Sequence, residues 1–126
     1  MLEAAIEIER EDGVRLPGVQ IDPDAATAAQ CNGAGVLVVA GEWGLTPEDH
    51  ARFVRPLAEF GYYVIATDLV RGRRTGSSED ARARAAGLDH AIAIDDLAAG
   101  ILSLRQLARG RLGVLGLDLA ATIALE

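Results

Sequence analysis

Lysine is missing from the chain: all 12 basic residues are arginines. Against 19 acids they leave a net charge of −7, so the clustered positive surface that phosphate binding needs is absent and nucleic acid is not an expected partner. Cysteine occurs once, at Cys31, which excludes an internal disulfide and leaves the redox compartment open. It stands in a polar loop, Gln30–Cys31–Asn32–Gly33, with no basic neighbour, and reads as incidental. Aromatics are only 4% of the residues, and Trp43, Tyr62 and Tyr63 read as packing groups rather than a ligand box. No apolar run reaches membrane-spanning length, and the opening MLEAAIEIERED is too acidic and interrupted for a signal peptide. The expectation is a cytoplasmic protein with no membrane contact, no cofactor and no metal.

What is present is the composition of a globular α/β protein: half the residues are apolar and a quarter are charged. The 126 residues fit one domain, 1–126, with no internal repeat or low-complexity tract. Residues 3–9 alternate apolar and acidic side chains, Asp12–Gly13 signals a tight turn, and Val14 to Ile21 alternates again. This predicts a hairpin at a sheet edge, where Pro17 can spare its backbone donor. A loop with a helical turn at 24–29 follows. Val36 to Ala40 (VLVVA) is then an unbroken apolar run, as in a strand covered by helices on both faces.

Thr46–Pro47–Glu48–Asp49 opens a helix with a cap, an N1 proline and first-turn acids; Gly61 ends it, and Pro56 should kink or divide it. YYVIA (62–66) predicts the next strand, ending at Thr67–Asp68. A weak helical stretch covers 79–86, and helical spacing is clear from Asp89 to Ala108. Leu112–Leu117 (LGVLGL) predicts a third buried strand, and a helix begins at Leu119. The whole is an N-terminal β-hairpin followed by β-α-β-α-β-α, a mainly parallel sheet between helix layers (a three-layer αβα sandwich).

Ligands of such sheets bind beyond the strand C-termini. The relevant tips are Gly41–Glu42–Trp43–Gly44, Thr67–Asp68–Leu69 and Gly116–Leu117–Asp118–Leu119–Ala120. Two blocks carry a family likeness. VLVVAGEWGLTPEDHARFVRPLAEFGYYVIATDLVRG and DDLAAGILSLRQLARGRLGVLGLDLAATIAL resemble, in order and spacing, the N-terminal half of the dienelactone hydrolases, over roughly residues 35–126. The resemblance implies a truncated α/β-hydrolase fold. It also implies hydrolysis of a small carboxylic ester or lactone.

Carried over residue by residue, the resemblance places Asp118 at the nucleophile elbow, where the family has cysteine and most relatives serine. Ala120 stands for the elbow glycine, and Thr67 for the proline ahead of Asp68. Glu42 matches the family glutamate that meets the nucleophile, and the N–H groups of Trp43 and Leu119 match its oxyanion hole. The family's acid and histidine lie on strands beyond the elbow helix, and the expectation is that another chain completes the site. Neither His50 nor His90 is placed at the catalytic edge by the sequence.

Asp118 admits two readings, a helix N-cap or a carboxylate nucleophile of the epoxide and haloalkane hydrolase type. With Glu42 beside it, the two carboxylates can share a proton. Arg71, Arg73 and Arg74 are either a solvated loop or a contact for a substrate anion. Left open, Leu112–Leu117 would be an unprotected edge strand, which predicts a homodimer or a partner chain at that edge. Three functions remain: an ester or lactone hydrolase completed by another chain, a non-catalytic binding or assembly protein, and an Asp-nucleophile hydrolase.

Overall fold

The computed structural model describes residues 1–71, 75–118 and 120. Five strands form one sheet: β1 (Leu2–Glu9), β2 (Arg15–Asp22), β3 (Gly35–Ala40), β4 (Tyr63–Asp68) and β5 (Leu112–Gly116), in the order β1-β2-β4-β3-β5. β2 runs against both of its neighbours, while β4, β3 and β5 are parallel. The sheet is thus mostly but not wholly parallel, as the sequence pattern predicts. The helix expected from Leu119 onward lies outside the described residues.

Successive residues of a strand face opposite ways, and the core divides accordingly. Leu37, Val39 and Ile65 pack with Leu97, Ala99 and Leu104 of α5 (His90–Leu107), together with Ile8 and Leu16 of the hairpin. Val38, Val64 and Ala66 pack on the other face with Val54 and Ala58. Gly100 lets α5 approach closely, since a Cβ there would sit 3.0 Å from Leu37. The two faces make the three-layer arrangement.

The helix predicted from Thr46 to Gly61 is divided, as Pro56 requires. α2 (Pro47–Asp49) passes into a π-helical turn (His50–Val54) and then α3 (Arg55–Phe60). The Arg55 N–H reaches back five residues to the His50 carbonyl. The wider turn just before Pro56 accommodates a residue that has no N–H to donate and whose ring crowds the preceding turn. The short α1 (Ala25–Gln30) and the caps Thr46, Ser77 and Asp89 complete the helical set, with α4 at Ser78–Gly87.

Two expectations need correction. Pro17 is not on the outermost strand: β2 is internal, flanked by β1 and β4. The proline is tolerated because the β2–β4 pairing runs only from Val19 to Ile21, and its carbonyl accepts from Thr67 Oγ1 at 3.0 Å. β5 is not buried on both faces either; as an outer strand it is half-open, with Val114 43% exposed.

Candidate active site

The parallel register aligns three strand tips. Ala40 pairs with Asp68, Val39 with Gly116, and the Leu117 N–H donates to Val39 O at 2.9 Å. The segments that follow β3, β4 and β5 therefore leave the same end of the sheet side by side.

After β3 the chain turns at once: Gly44 N–H donates to Gly41 O at 3.0 Å, with Glu42 and Trp43 central and Gly44 at φ 80°, a conformation natural only to glycine. The turn is held from outside, since Thr75 N–H donates to Trp43 O at 3.1 Å and Arg84 Nη1 to Glu42 O at 3.4 Å. Among the described residues the Trp43 N–H donates to no protein acceptor. Asp68 ties two tips together, accepting from Val70 N–H at 3.0 Å and from Leu45 N–H at 3.2 Å.

After β5 comes an elbow. Asp118 stands at φ 54°, in the left-handed region, and the Ala120 N–H donates to Leu117 O at 3.0 Å across it. The capping residues Thr46, Ser77 and Asp89 have φ of −80°, −93° and −85° and each accepts from the N–H three residues on. Asp118 does not share that extended backbone. Its geometry is a sharp turn at the end of the strand, of the kind that lifts a side chain above a sheet.

Electrostatically the elbow is acidic. The Asp118 carboxyl is held above its ordinary range, first by partial burial, then by the charges of Glu42 and Asp49. Glu42 was legible as a neighbour from sequence. Asp49 was not: as a first-turn acid of α2 it reads only as a helix-dipole partner.

The arginines behave differently. Arg71, itself at φ 55°, bonds the carboxylate of Asp96 at 3.4 Å, and Arg10 bonds the same group at 2.8 Å. Asp96 is 5% exposed and had no signal in the sequence beyond an acid on an otherwise apolar helix. Arg71, its own side chain exposed, is thus paired with a buried carboxylate; Arg73, Arg74 and Leu119 lie outside the described residues. His50 Nε2 sits 2.9 Å from Glu3 Oε1. Glu3 belongs to β1, the margin opposite β5 and four strand spacings from it, about 19 Å. His90 is exposed in the first turn of α5. A cleft of about 410 Å³ lies beside the site, lined by Val19, Leu45, Thr46, His50, Ala66 and Thr67, but neither Asp118 nor Glu42 lines it. Among the described residues no helix is long and apolar enough to cross a membrane.

The model of the dienelactone hydrolase family matches residues 21–126. No curated protein matches the chain. Among solved structures, a candidate dienelactone hydrolase of Klebsiella pneumoniae superposes with a TM-score of 0.75 at 21% identity, covering 97% of this chain and 52% of its own. The dienelactone hydrolase-like promiscuous phosphotriesterase P91, from metagenomic libraries, gives 0.67 at 18% identity over 99% and 53%. The Pyrococcus furiosus esterase Pf2001 gives 0.63 at 23% over 98% and 45%. The chain spans about half the length of these structures, and at such identities they establish the shared fold.

Proposed function

The chain belongs to the dienelactone hydrolase family, and from that premise we propose that it hydrolyses a small carboxylic ester or lactone with a carboxylate at the elbow. One observation carries the reading: Asp118 occupies a left-handed turn at the tip of β5, beside the Glu42–Trp43 turn of β3. Asp118, in its ionised form, takes a proton from water as the water oxygen attacks the acyl carbon. Its elevated pKa makes it a better base than an ordinary aspartate. The acyl oxygen takes the negative charge, stabilised by the N–H of Trp43 and, by family analogy, of Leu119. Collapse of the intermediate expels the alkoxide, which recovers the proton from Asp118; Glu42 disfavours a second negative charge beside it and so helps Asp118 hold that proton.

Full turnover in this family calls for a histidine, and the described residues bring none to the elbow. Without it, oxyanion stabilisation alone supplies on the order of 10³–10⁴-fold over water. The test is the initial rate on 4-nitrophenyl acetate and on a small lactone, for the chain and for Asp118→Ala. The reading expects slow turnover that rises with pH as Asp118 ionises and drops at least about tenfold in the variant. Equal rates in both proteins would overturn it. An alkylated Asp118 peptide after exposure to an epoxide would instead mark a carboxylate nucleophile, and no turnover at all would leave the non-catalytic reading.

A further inference from the structure

One face of the sheet is covered unevenly. Val54 and Ala58 of the π-helical turn and α3 pack over β3 and β4, against Val38, Val64 and Ala66. Toward the strand tips the β2–β4 ladder stops at Val19, short of Pro17, which has no N–H to continue it. The strip of β2 left bare there floors the cleft of about 410 Å³. Val19 and Ala66, partners across the ladder, lie at its base, and Leu45 and Pro47 stand over them. One clasp closes its far end, His50 Nε2 to Glu3 Oε1 at 2.9 Å. β5 contributes nothing to this cleft: every lining residue lies between 3 and 68, on β1, β2, β4 and the segment that runs through α2.

The polar groups of the cleft differ in what they have left to offer. Thr67 Oγ1 gives its proton to Pro17 O, and Thr46 Oγ1 accepts from Asp49 N–H. Asp68 accepts from the Leu45 and Val70 N–H groups and so serves its own loops. A carboxylate can only accept, so the proton between Glu3 and His50 sits on Nε2, and in the neutral ring Nδ1 is then an acceptor. Among the described residues neither Nδ1 nor Glu3 Oε2 receives a hydrogen bond from the protein. That end of the cleft therefore presents acceptors, and its complement must bring donors.

Charge narrows the complement further. Glu3 and Asp68 line the cleft and no arginine does, so an anion is disfavoured and a cation is drawn in. We propose that the cleft binds a small primary amine in its ammonium form. The ammonium donates to Glu3 Oε2 and His50 Nδ1, and an alkyl or aryl body lies over Val19 and Ala66 beneath Leu45. The volume falls within the range of small-molecule sites, about 300–1,000 Å³, and the apolar base with a few convergent polar groups is their usual lining. The site stands whether or not Asp118 hydrolyses esters.

Titration calorimetry of the full chain with phenethylamine, at neutral to mildly alkaline pH, should give a Kd of about 1 mM or tighter. Phenethyl alcohol and hydrocinnamate, which share the body but not the cation, should bind at least about tenfold more weakly. Glu3→Gln keeps an acceptor for His50 Nε2 and removes the charge, and should weaken the amine at least about tenfold. Val19→Trp fills the base of the cleft and should abolish amine binding with the circular dichroism spectrum retained. Amide shift changes on titration should gather at Glu3, Val19, Leu45 and His50. Equal affinity for amine and alcohol would overturn the proposal, as would no binding in the millimolar range or indifference to Glu3→Gln. Shift changes centred on Glu42, Asp49 and Asp118 would overturn it too, placing the cation at the elbow instead. Turnover enters none of these readouts.

Discussion

Three replacements of Asp118 separate the backbone strain of the elbow from its electrostatic strain. Asp118→Ala removes the carboxylate and keeps a Cβ at φ 54°, whereas Asp118→Gly removes both. A left-handed conformation costs an L-residue about 1–2 kcal/mol, offset in part by the greater freedom of glycine in the unfolded chain. The glycine variant should therefore exceed the alanine variant by about 1 kcal/mol, or roughly 3–5 °C in Tm for a domain of this size.

Asp118→Asn isolates the charge. Because the folded state raises the pKa of this carboxyl, it binds more protons than the unfolded state between the two values, and stability falls as pH rises through that window. The penalty is complete above the raised value and absent below the ordinary aspartate value of about 3.9. Asp118→Asn should accordingly stabilise the protein near pH 7 and do nothing near pH 3. Urea unfolding at both pH values reads both effects. If alanine proves as stable as glycine, the elbow is unstrained. If the asparagine gain persists at low pH, charge is not its origin.

Asp96→Ala leaves the largely buried Arg10 without its nearest acceptor; because Asp12 at 3.0 Å and Asp95 at 3.8 Å remain, the loss should fall at or below the lower end of about 3–5 kcal/mol, measured by urea denaturation. Asp96→Asn, which keeps the acceptor oxygen, should lose less. Gly61→Ala should cost about 2–4 kcal/mol, since φ is 123° and the new Cβ would press on the Thr27 carbonyl oxygen; a calorimetric Tm close to wild type would refute that geometry.

The strands and the long helix were legible because each is announced locally: alternation in β1 and β2, apolar runs in β3 and β4, and the spacing of Ile92, Leu97, Ile101 and Leu104 in α5. The site was legible at the level of strand tips, since Glu42 and Asp118 each follow an apolar run. The contacts that join distant segments were not. Arg10 and Asp96 are 86 residues apart, and neither has a neighbour in sequence that betrays the other. Asp49 was hidden by having a sufficient local explanation as a helix-opening acid. The exposure of β5 was foreseen only as a consequence of what would be missing beside it, because a run such as LGVLGL looks the same whether one or two neighbours cover it.

The elbow itself is built by backbone groups: the pairing of Leu117 with Val39 fixes where β5 ends, and the Ala120–Leu117 bond closes the turn. Neither contact depends on the side chain at position 118, so the turn can outlast a change of residue there. What the turn filters is conformation, since among residues with a side chain the left-handed region is entered most readily by asparagine and aspartate. Aspartate therefore eases the backbone strain that a serine or cysteine would bear at the same φ. It exchanges that strain for an electrostatic one, a carboxylate placed beside Glu42 and Asp49. Two events relieve it, uptake of a proton or approach of a cation. The first makes Asp118 an acid–base group; the second makes it an anchor for a positively charged group. The two leave opposite signatures, because an elbow relieved by a proton keeps its raised pKa, while a cation beside it brings that pKa down.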